Sequence, residues 1–378
     1  MKVTHAQRMS INDLFTKALR HEFLTLDEGL FLFNNASLTE LMFIAHQMRQ
    51  AIVPGNRVTW QIDRNINITN VCISGCKFCN FHCKPGDGSA FITSTYEYVV
   101  KIKEMLRYGG DQILLQGGLH PKLCLAFYID LFQQLKERFP QLKLHALSPP
   151  EIAHIARLEK TTYREVLEQL VEAGLNSLPG GGAEILVDRV RKLISPGKPN
   201  SQAWLDVMAE AHNMGLLTTA TMMFGHVETL AERMEHLVKI RDLQERKPKA
   251  AVGFSAFICW PFQDKDTEMS RMGVKSTVTP DEYVRMVALS RIMLPNIRHI
   301  QASWLTVGMD IAQICLHAGA DDLGSIMIEE NVVSSAGAKH KVSAYDMQRA
   351  IADAGFEAQL RNQAYQHIEQ DLNDFFHY

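Results

Sequence analysis

The chain has 378 residues, 46% of them hydrophobic and 21% charged, enough to bury a large core in one extended domain or two ordinary ones. Its formal charge of −3 gives no electrostatic reason for a nucleic-acid or acidic-membrane partner. The opening MKVTHAQRMSINDLFTKALR has no apolar run of signal-peptide length. No later stretch reaches the ~18 uninterrupted apolar residues of a membrane span, so a cytoplasmic protein with no membrane partner is expected.

Residues 1–55 carry helical periodicity, with Leu38, Leu41, Met42, Ala45, Met48 and Ile52 on one apolar stripe. They are read as a helical extension packed on the rest of the chain. Short β-rich runs then recur eight times: NINITNV, QILLQGG, LKLHALSPP, LNSLPGGG, TTATMMFG, GFSAFICWPF, HIQASW and GSIMIEE. Between most of them lie amphipathic helical segments, among them EYVVKIKEMLRYGG, LAFYIDLFQQLKERF, YREVLEQLVEAG and AWLDVMAEAHNMG. Gly109, Gly174 and Gly215 stand where a helix stops before the next run, a position glycine fills cheaply in the left-handed conformation. Thr162 with Glu165, and Thr279 with Pro280 and Glu282, predict capping boxes at helix starts. Strands alternating with helices over roughly 250 residues predict an α/β fold, a parallel (β/α)8 TIM-type barrel, with a doubly wound open sheet as the alternative. The barrel is assigned to residues 56–340 and residues 341–378 to a C-terminal helical tail packed on it, since no repeat or long linker divides the chain.

Four of the seven cysteines crowd into NVCISGCKFCNFHC, at Cys72, Cys76, Cys79 and Cys83. In a reducing compartment clustered thiols hold metal or do chemistry more often than they form disulfides. The first three follow the first predicted strand directly, on the rim where barrel active sites sit. Thiolates select zinc, copper(I) or iron–sulfur clusters; a structural zinc or a closed cluster takes four protein ligands, and only a three-ligand site leaves an iron open. Zinc completed by Cys83 or His82 is the competing reading, although no second cysteine pair follows at zinc-ribbon spacing. Cys124, Cys259 and Cys315 fall in apolar surroundings and are read as buried, inert thiols.

CISGCKFC resembles the C-x3-C-x2-C loop of radical S-adenosylmethionine (SAM) enzymes. The resemblance implies that Cys72, Cys76 and Cys79 bind a [4Fe–4S] cluster, that Phe78 belongs to the same loop signature, and that SAM chelates the fourth iron. A fourth thiolate would block that cofactor, so Cys83 is read as a free thiol near the site. Gln116, Gly117 and Gly118 end the second predicted strand, where glycines let backbone approach a ligand closely. They resemble the family segment that binds the methionyl amino group, with a plain strand-to-helix turn as the alternative. Glu184 and Arg189 or Arg191, just past LPGGG, suit ribose hydroxyls and a carboxylate respectively, against solvated helix charges. TMMFGHVE, residues 221–228, resembles the family's adenine-contacting G-x-I-x-G-x-x-E strand and adds Glu228, although Thr221 and Met223 replace its first glycine and its isoleucine.

Further segments spread over residues 55–340 resemble the futalosine-route radical enzymes of menaquinone biosynthesis: RNINITNVC, QILLQGGLHP, HALSPPEI, SLPGGGAEILVDRVR, TATMMFGHVET, IQASW and GADDLGSIMIEENVVSSAG. SPPE at 148–151 with WPF at 260–262 resembles the dehypoxanthine futalosine cyclase branch more than the aminofutalosine or deazaflavin-forming branches. Asn80, His82 and Cys83 depart from the family's usual residues. The resemblance implies a small-molecule substrate, dehypoxanthine futalosine. A 5′-deoxyadenosyl radical would take hydrogen from its ribose C4′, and ring closure on the aromatic ring would follow. It also implies a one-electron donor such as flavodoxin or ferredoxin. His145, Glu151 and His226 are strand-end candidates for a base that helps the ring regain aromaticity, His145 being equally readable as a satisfied core histidine. Gln301 and Ser303 are candidates for orienting substrate hydroxyls or carboxylate, with barrel packing as the alternative. A non-catalytic iron–sulfur or zinc barrel is the reading of a different class.

Overall fold

The computed structural model describes residues 10–329, 331–337 and 340–369. Ten strands form one parallel sheet: β1 (Arg57–Gln61), β2 (Asp63–Asn67), β3 (Gln112–Gln116), β4 (Lys143–Ala146), β5 (Leu175–Leu178), β6 (Leu217–Phe224), β7 (Phe254–Pro261), β8 (His299–Ala302), β9 (Asp322–Ser325) and β10 (Glu357–Leu360). Their order is β10-β1-β9-β8-β7-β6-β5-β4-β3-β2. β1 and β2 are halves of one run broken only at Ile62, yet β2 stands at one end of that order and β1 one place in from the other. The Ile326 amide donates to the Gln61 carbonyl at 3.1 Å while β2 pairs with β3, so the run joins β9 to β3 and the sheet curls into a barrel. A doubly wound open sheet has no such joint.

β2 to β9 coincide with the eight predicted runs, and β1 and β10 are additional. The strand expected at GSIMIEE starts earlier, at Asp322, and stops at Ser325, because Met327 turns the chain with a φ of 47°. The tail expected to be helical is helix only over Ala344–Asp353 and then lays β10 along β1, from Arg57↔Glu357 to Trp60↔Leu360. Expectations for residues 1–9 and 370–378 lie outside the described residues.

Helix Leu38–Ile52 packs on Pro280–Met293 through Leu41, Ala45 and Met48, the centre of the predicted stripe. Gly109, Gly174 and Gly215 all take positive φ after helices. Thr162 and Glu165 close a reciprocal capping box. Thr279 forms only half of one: its hydroxyl accepts from the Glu282 amide, but the Glu282 carboxylate is drawn off by Arg233 at 2.6 Å.

Alternation along the strands decides where the core ends and the site begins. Ile66, Ile113, Leu115, Leu144, Met222, Phe257, Ile300 and Leu323 are buried in the hydrophobic core. Their neighbours Asn65, Asn67, Gln116, His145, Thr219, Thr221, Gln301 and Ser325 line a cavity inside the barrel. A sealed barrel fills those inner positions with branched aliphatics. Here amides, hydroxyls and an imidazole stand among the apolar inner residues, and the barrel stays open.

Candidate active site

The cavity has a volume of ≈ 390 Å³ and includes Cys72, Cys76 and Cys79 in its wall. The loop that carries them is laced to its neighbours. Ile73 N donates to Leu119 O at 3.1 Å, Gly197 N to Ser74 O at 2.8 Å, and Lys77 N to Ile194 O at 2.8 Å. The Ser74 hydroxyl lies 2.9 Å from the Cys72 sulfur and 3.2 Å from that of Cys76, and the Leu119 amide donates to Cys72 Sγ at 3.2 Å. Burial pushes the Cys76 thiol up to about 11 and raises that of Cys79. Among the described residues no three ligands stand gathered at metal-binding distance. The donor set itself is three soft thiols facing one cavity, which suits an iron–sulfur cluster. Cys83 is absent from the cavity wall; its main chain pairs with Val71 and closes the base of the loop. Of the remaining thiols Cys259 and Cys315 are buried as expected, but Cys124 is exposed, because it caps a surface helix.

Gln116, Gly117 and Gly118 all line the cavity. A Cβ on Gly118 would stand 2.2 Å from the Val71 carbonyl oxygen and 2.8 Å from Cys72 Cβ. The side chain missing at 118 thus leaves room for the cysteine loop itself. The Gly117 amide donates to Glu151 at 2.9 Å, and the Ser148 hydroxyl donates to the other Glu151 oxygen at 2.6 Å. Glu151 sits in the first turn of helix Pro149–Glu159, lines the cavity, and is pushed up to about 7 by burial.

Of Glu184, Arg189 and Arg191, only Glu184 reaches the cavity. Its partner is Lys198, 2.6 Å away, whose ammonium lies 5.3 Å over the Phe78 ring. Burial works against that ammonium, but Cys76 and Glu184 together hold its pKa above the ordinary lysine range. Arg191 is buried and spends its guanidinium on the carbonyls of Gly182, Ala183 and Pro199. Arg189 is half exposed and pairs with Glu232. Neither arginine lines the cavity.

His226 and Glu228 also stand outside the wall. Glu228 accepts from the amides of Gly225 and His226 and from Arg233, so it holds the turn after β6. His145 does line the cavity, with Nδ1 2.7 Å from the Ser177 hydroxyl; burial, with Arg361 nearby, depresses its imidazole to about 3, so it stays neutral. Gln301 and Ser303 line the opposite side.

The floor comes from the chain's other end. Arg361, just past β10, donates to both Asp322 oxygens at 2.5 and 2.8 Å and to Gln61 at 2.5 Å. Its guanidinium stacks 3.9 Å from the Tyr365 ring. Arg361, Tyr365, Lys198 and Asn65 were not marked by motif. Only Lys198 has a local signal, its place in the turn-forming PGKP.

This barrel, with three thiols on the rim of an open cavity, is an architecture that suits a radical enzyme. A family model described as the radical SAM superfamily matches residues 66–240, and one described as the CofH/MqnC C-terminal region matches residues 251–373. The chain is 40% identical over 365 residues to the cyclic dehypoxanthine futalosine synthase of Streptomyces coelicolor, covering 96% of this chain and 90% of that one. It is 39% identical over 300 residues to the 5-amino-6-(D-ribitylamino)uracil–L-tyrosine 4-hydroxyphenyl transferase of Archaeoglobus fulgidus, covering 79% and 84%. Among solved structures, methylornithine synthase (PylB) superposes with a TM-score of 0.69 at 18% identity, over 93% of this chain and 98% of that one, which shows the fold. The chain belongs to the radical SAM superfamily, whose cofactors are a [4Fe–4S] cluster and SAM, and within it to the group that carries the CofH/MqnC C-terminal region.

Proposed function

We propose that the protein is a radical SAM cyclase that converts dehypoxanthine futalosine to its cyclic product in menaquinone biosynthesis. The observation that carries this reading is the open barrel cavity with three thiols in its wall, in a chain 40% identical to a synthase of that name. Cys72, Cys76 and Cys79 would hold the cluster. Bound there with SAM, it supplies a 5′-deoxyadenosyl radical, the species that takes hydrogen from ribose C4′ of the substrate. Phe78, Glu184 and Lys198 form the cofactor wall, Lys198 replacing the arginines as the cation for a carboxylate. Gln301 and Ser303 orient the substrate. Once C4′ has bonded to the aromatic ring, one electron and one proton must leave to restore aromaticity, the electron replacing the one that the one-electron donor spent on cleaving SAM. Of the three candidate bases only Glu151 combines a place in the cavity with a pKa near neutrality, so we assign it to accept that proton on a carboxylate oxygen. A cytoplasmic protein served by a one-electron donor of flavodoxin or ferredoxin type completes the reading. No helix among the described residues is long and apolar enough to cross a membrane.

The test is product mass and label. Reduced, reconstituted protein given dehypoxanthine futalosine with deuterium at C4′ should release deuterated 5′-deoxyadenosine and a cyclic product. Turnover of tyrosine with a diaminouracil instead, and none of this substrate, would move the chain to the transferase side of its family.

A further inference from the structure

Alternation along β2 sends Asp63, Asn65 and Asn67 inward, and all three line the cavity. Two of them are engaged. Asp63 accepts from Gln61 and Ser325, and Asn67 accepts from Asn331 at 3.0 Å. Asn65, between them, is 7% exposed; its carbonyl oxygen is fully buried, and its amide meets no hydrogen-bond partner among the described residues. A buried polar group left in that state costs about 1–3 kcal/mol, and its retention calls for an explanation.

A second such group arrives from the C-terminal segment. The Tyr365 ring lies between the Arg361 guanidinium at 3.9 Å and the His299 ring at 3.6 Å, and its hydroxyl is buried without a partner among the described residues. Tyr365 also lines the cavity. His299 is the first residue of β8, so this group marks the deep end of the barrel, away from the cysteines.

Charge decides which part of a substrate fits there. Arg361 is the cavity's described arginine and is already matched by both oxygens of Asp322, while Lys198 stands with Glu184 and Phe78 beside the cysteine loop. Of the lining carboxyls, Asp63 begins β2 at this depth and has no ion-pair partner of its own among the described residues, whereas Glu151 bonds the Gly117 amide toward the rim. A substrate carboxylate pushed to this depth would meet Asp63 and a guanidinium already matched by Asp322. Hydroxyls would meet an amide and a phenol, each able to donate and accept.

We propose that Asn65 and Tyr365 form a hydroxyl subsite at the deep end of the barrel, which takes the ribose diol of the substrate and leaves its carboxylated aromatic ring toward the rim. The proposal rests on the cyclase reading above. Holding the diol from below presents the neighbouring C4′ hydrogen upward, toward the side where the thiols stand.

The experiment compares the native chain with Asn65→Leu and Tyr365→Phe, each reconstituted at full length, on dehypoxanthine futalosine and its 2′-deoxy and 3′-deoxy analogues. Iron content and melting temperature establish that the variants are folded and loaded; Tyr365→Phe removes a single oxygen and remains informative where Asn65→Leu fails to fold. The native chain should favour the full substrate over at least one analogue by roughly tenfold or more in kcat/KM. A variant should raise KM for the full substrate and lose that preference. Equal discrimination by the native chain and both variants, or none by the native chain, overturns the subsite while cyclase activity stands. No turnover of the full substrate by the native chain overturns the cyclase reading, and the subsite with it.

Discussion

Gly118→Ala adds one methyl group at the tightest point of the cysteine loop. The new Cβ would stand 2.2 Å from the Val71 carbonyl oxygen, 2.7 Å from its carbon and 2.8 Å from Cys72 Cβ. Ordinary carbon–oxygen contacts begin near about 3.3 Å, so the loop or β3 has to retreat by roughly 1 Å. Neither can do so freely. The Gly118 amide donates to Thr69 O at 2.9 Å, Ile73 N to Leu119 O at 3.1 Å, and Leu119 N to Cys72 Sγ at 3.2 Å. Overpacking of this kind costs about 1–3 kcal/mol, which falls on the cysteine loop because both close neighbours are its main chain and its first thiol. A displacement of ~1 Å at a reacting constellation lowers rate on the order of a hundredfold. The variant should fold, take up less iron and sulfide on anaerobic reconstitution, and release 5′-deoxyadenosine at about a hundredth of the native rate. Gly88→Ala, where a Cβ meets nothing within 4 Å, is the matched control and should behave as native. Full cluster content with native SAM cleavage in Gly118→Ala would refute the claim that this glycine exists to admit the loop.

Lys198→Gln should lower SAM cleavage at least tenfold, whereas Arg189→Gln, which breaks a half-exposed pair with Glu232, should leave it within twofold and cost under about 1 kcal/mol; equal losses in both would return the cation role to the arginines. Burial raises the Glu151 carboxyl from its ordinary 4.5 to about 7, so between those values the folded chain keeps a proton that the unfolded chain has released, and stability falls as pH rises through that window. Glu151→Gln removes this term, and urea unfolding at pH 5 and pH 8 should show the variant gaining up to about 3 kcal/mol on the native chain; a constant difference would mean the carboxyl is not held neutral. Cys83→Ala should retain iron and sulfide after reconstitution while Cys72→Ala, Cys76→Ala and Cys79→Ala each lose them, and loss in Cys83→Ala would make it a ligand.

β2 to β9 were legible because each is a short β-rich run bounded by helix signals, and Gly109, Gly174 and Gly215 mark the ends of three of those helices with positive φ. β1 was hidden by its neighbour: RVTWQ runs into DRNIN across the single residue Ile62, and only pairing with different partners, β9 and β10 against β3, separates them. β10 was hidden for another reason. EAQL has two exposed residues and no strong β-former, and it belongs to the sheet through β1 and through Arg361, whose contacts with Asp322 and Gln61 lie 39 and 300 residues away. Pairing across such separations leaves no local periodicity to read.

The cysteines were readable for the opposite reason, since three thiols within eight residues must share one loop whatever the fold. Charged contacts do not inherit that locality. Arg189 and Arg191 lie close to Glu184 in sequence, yet the pairing cation is Lys198, 14 residues on, and the path of the loop decides it. Arg191 sets that path. Its donors bond Gly182 and Ala183 on one limb and Pro199 on the other, so it clasps the two ends of the loop and brings Glu184 and Lys198 within 2.6 Å of each other inside the cavity. A buried guanidinium turned to carbonyls outside the cavity wall is not offered to a ligand, whereas an ammonium beside one carboxylate and two thiols keeps its charge where a ligand can feel it. The buried arginine therefore builds the site, and the lysine at the end of its clasp is the one that faces it.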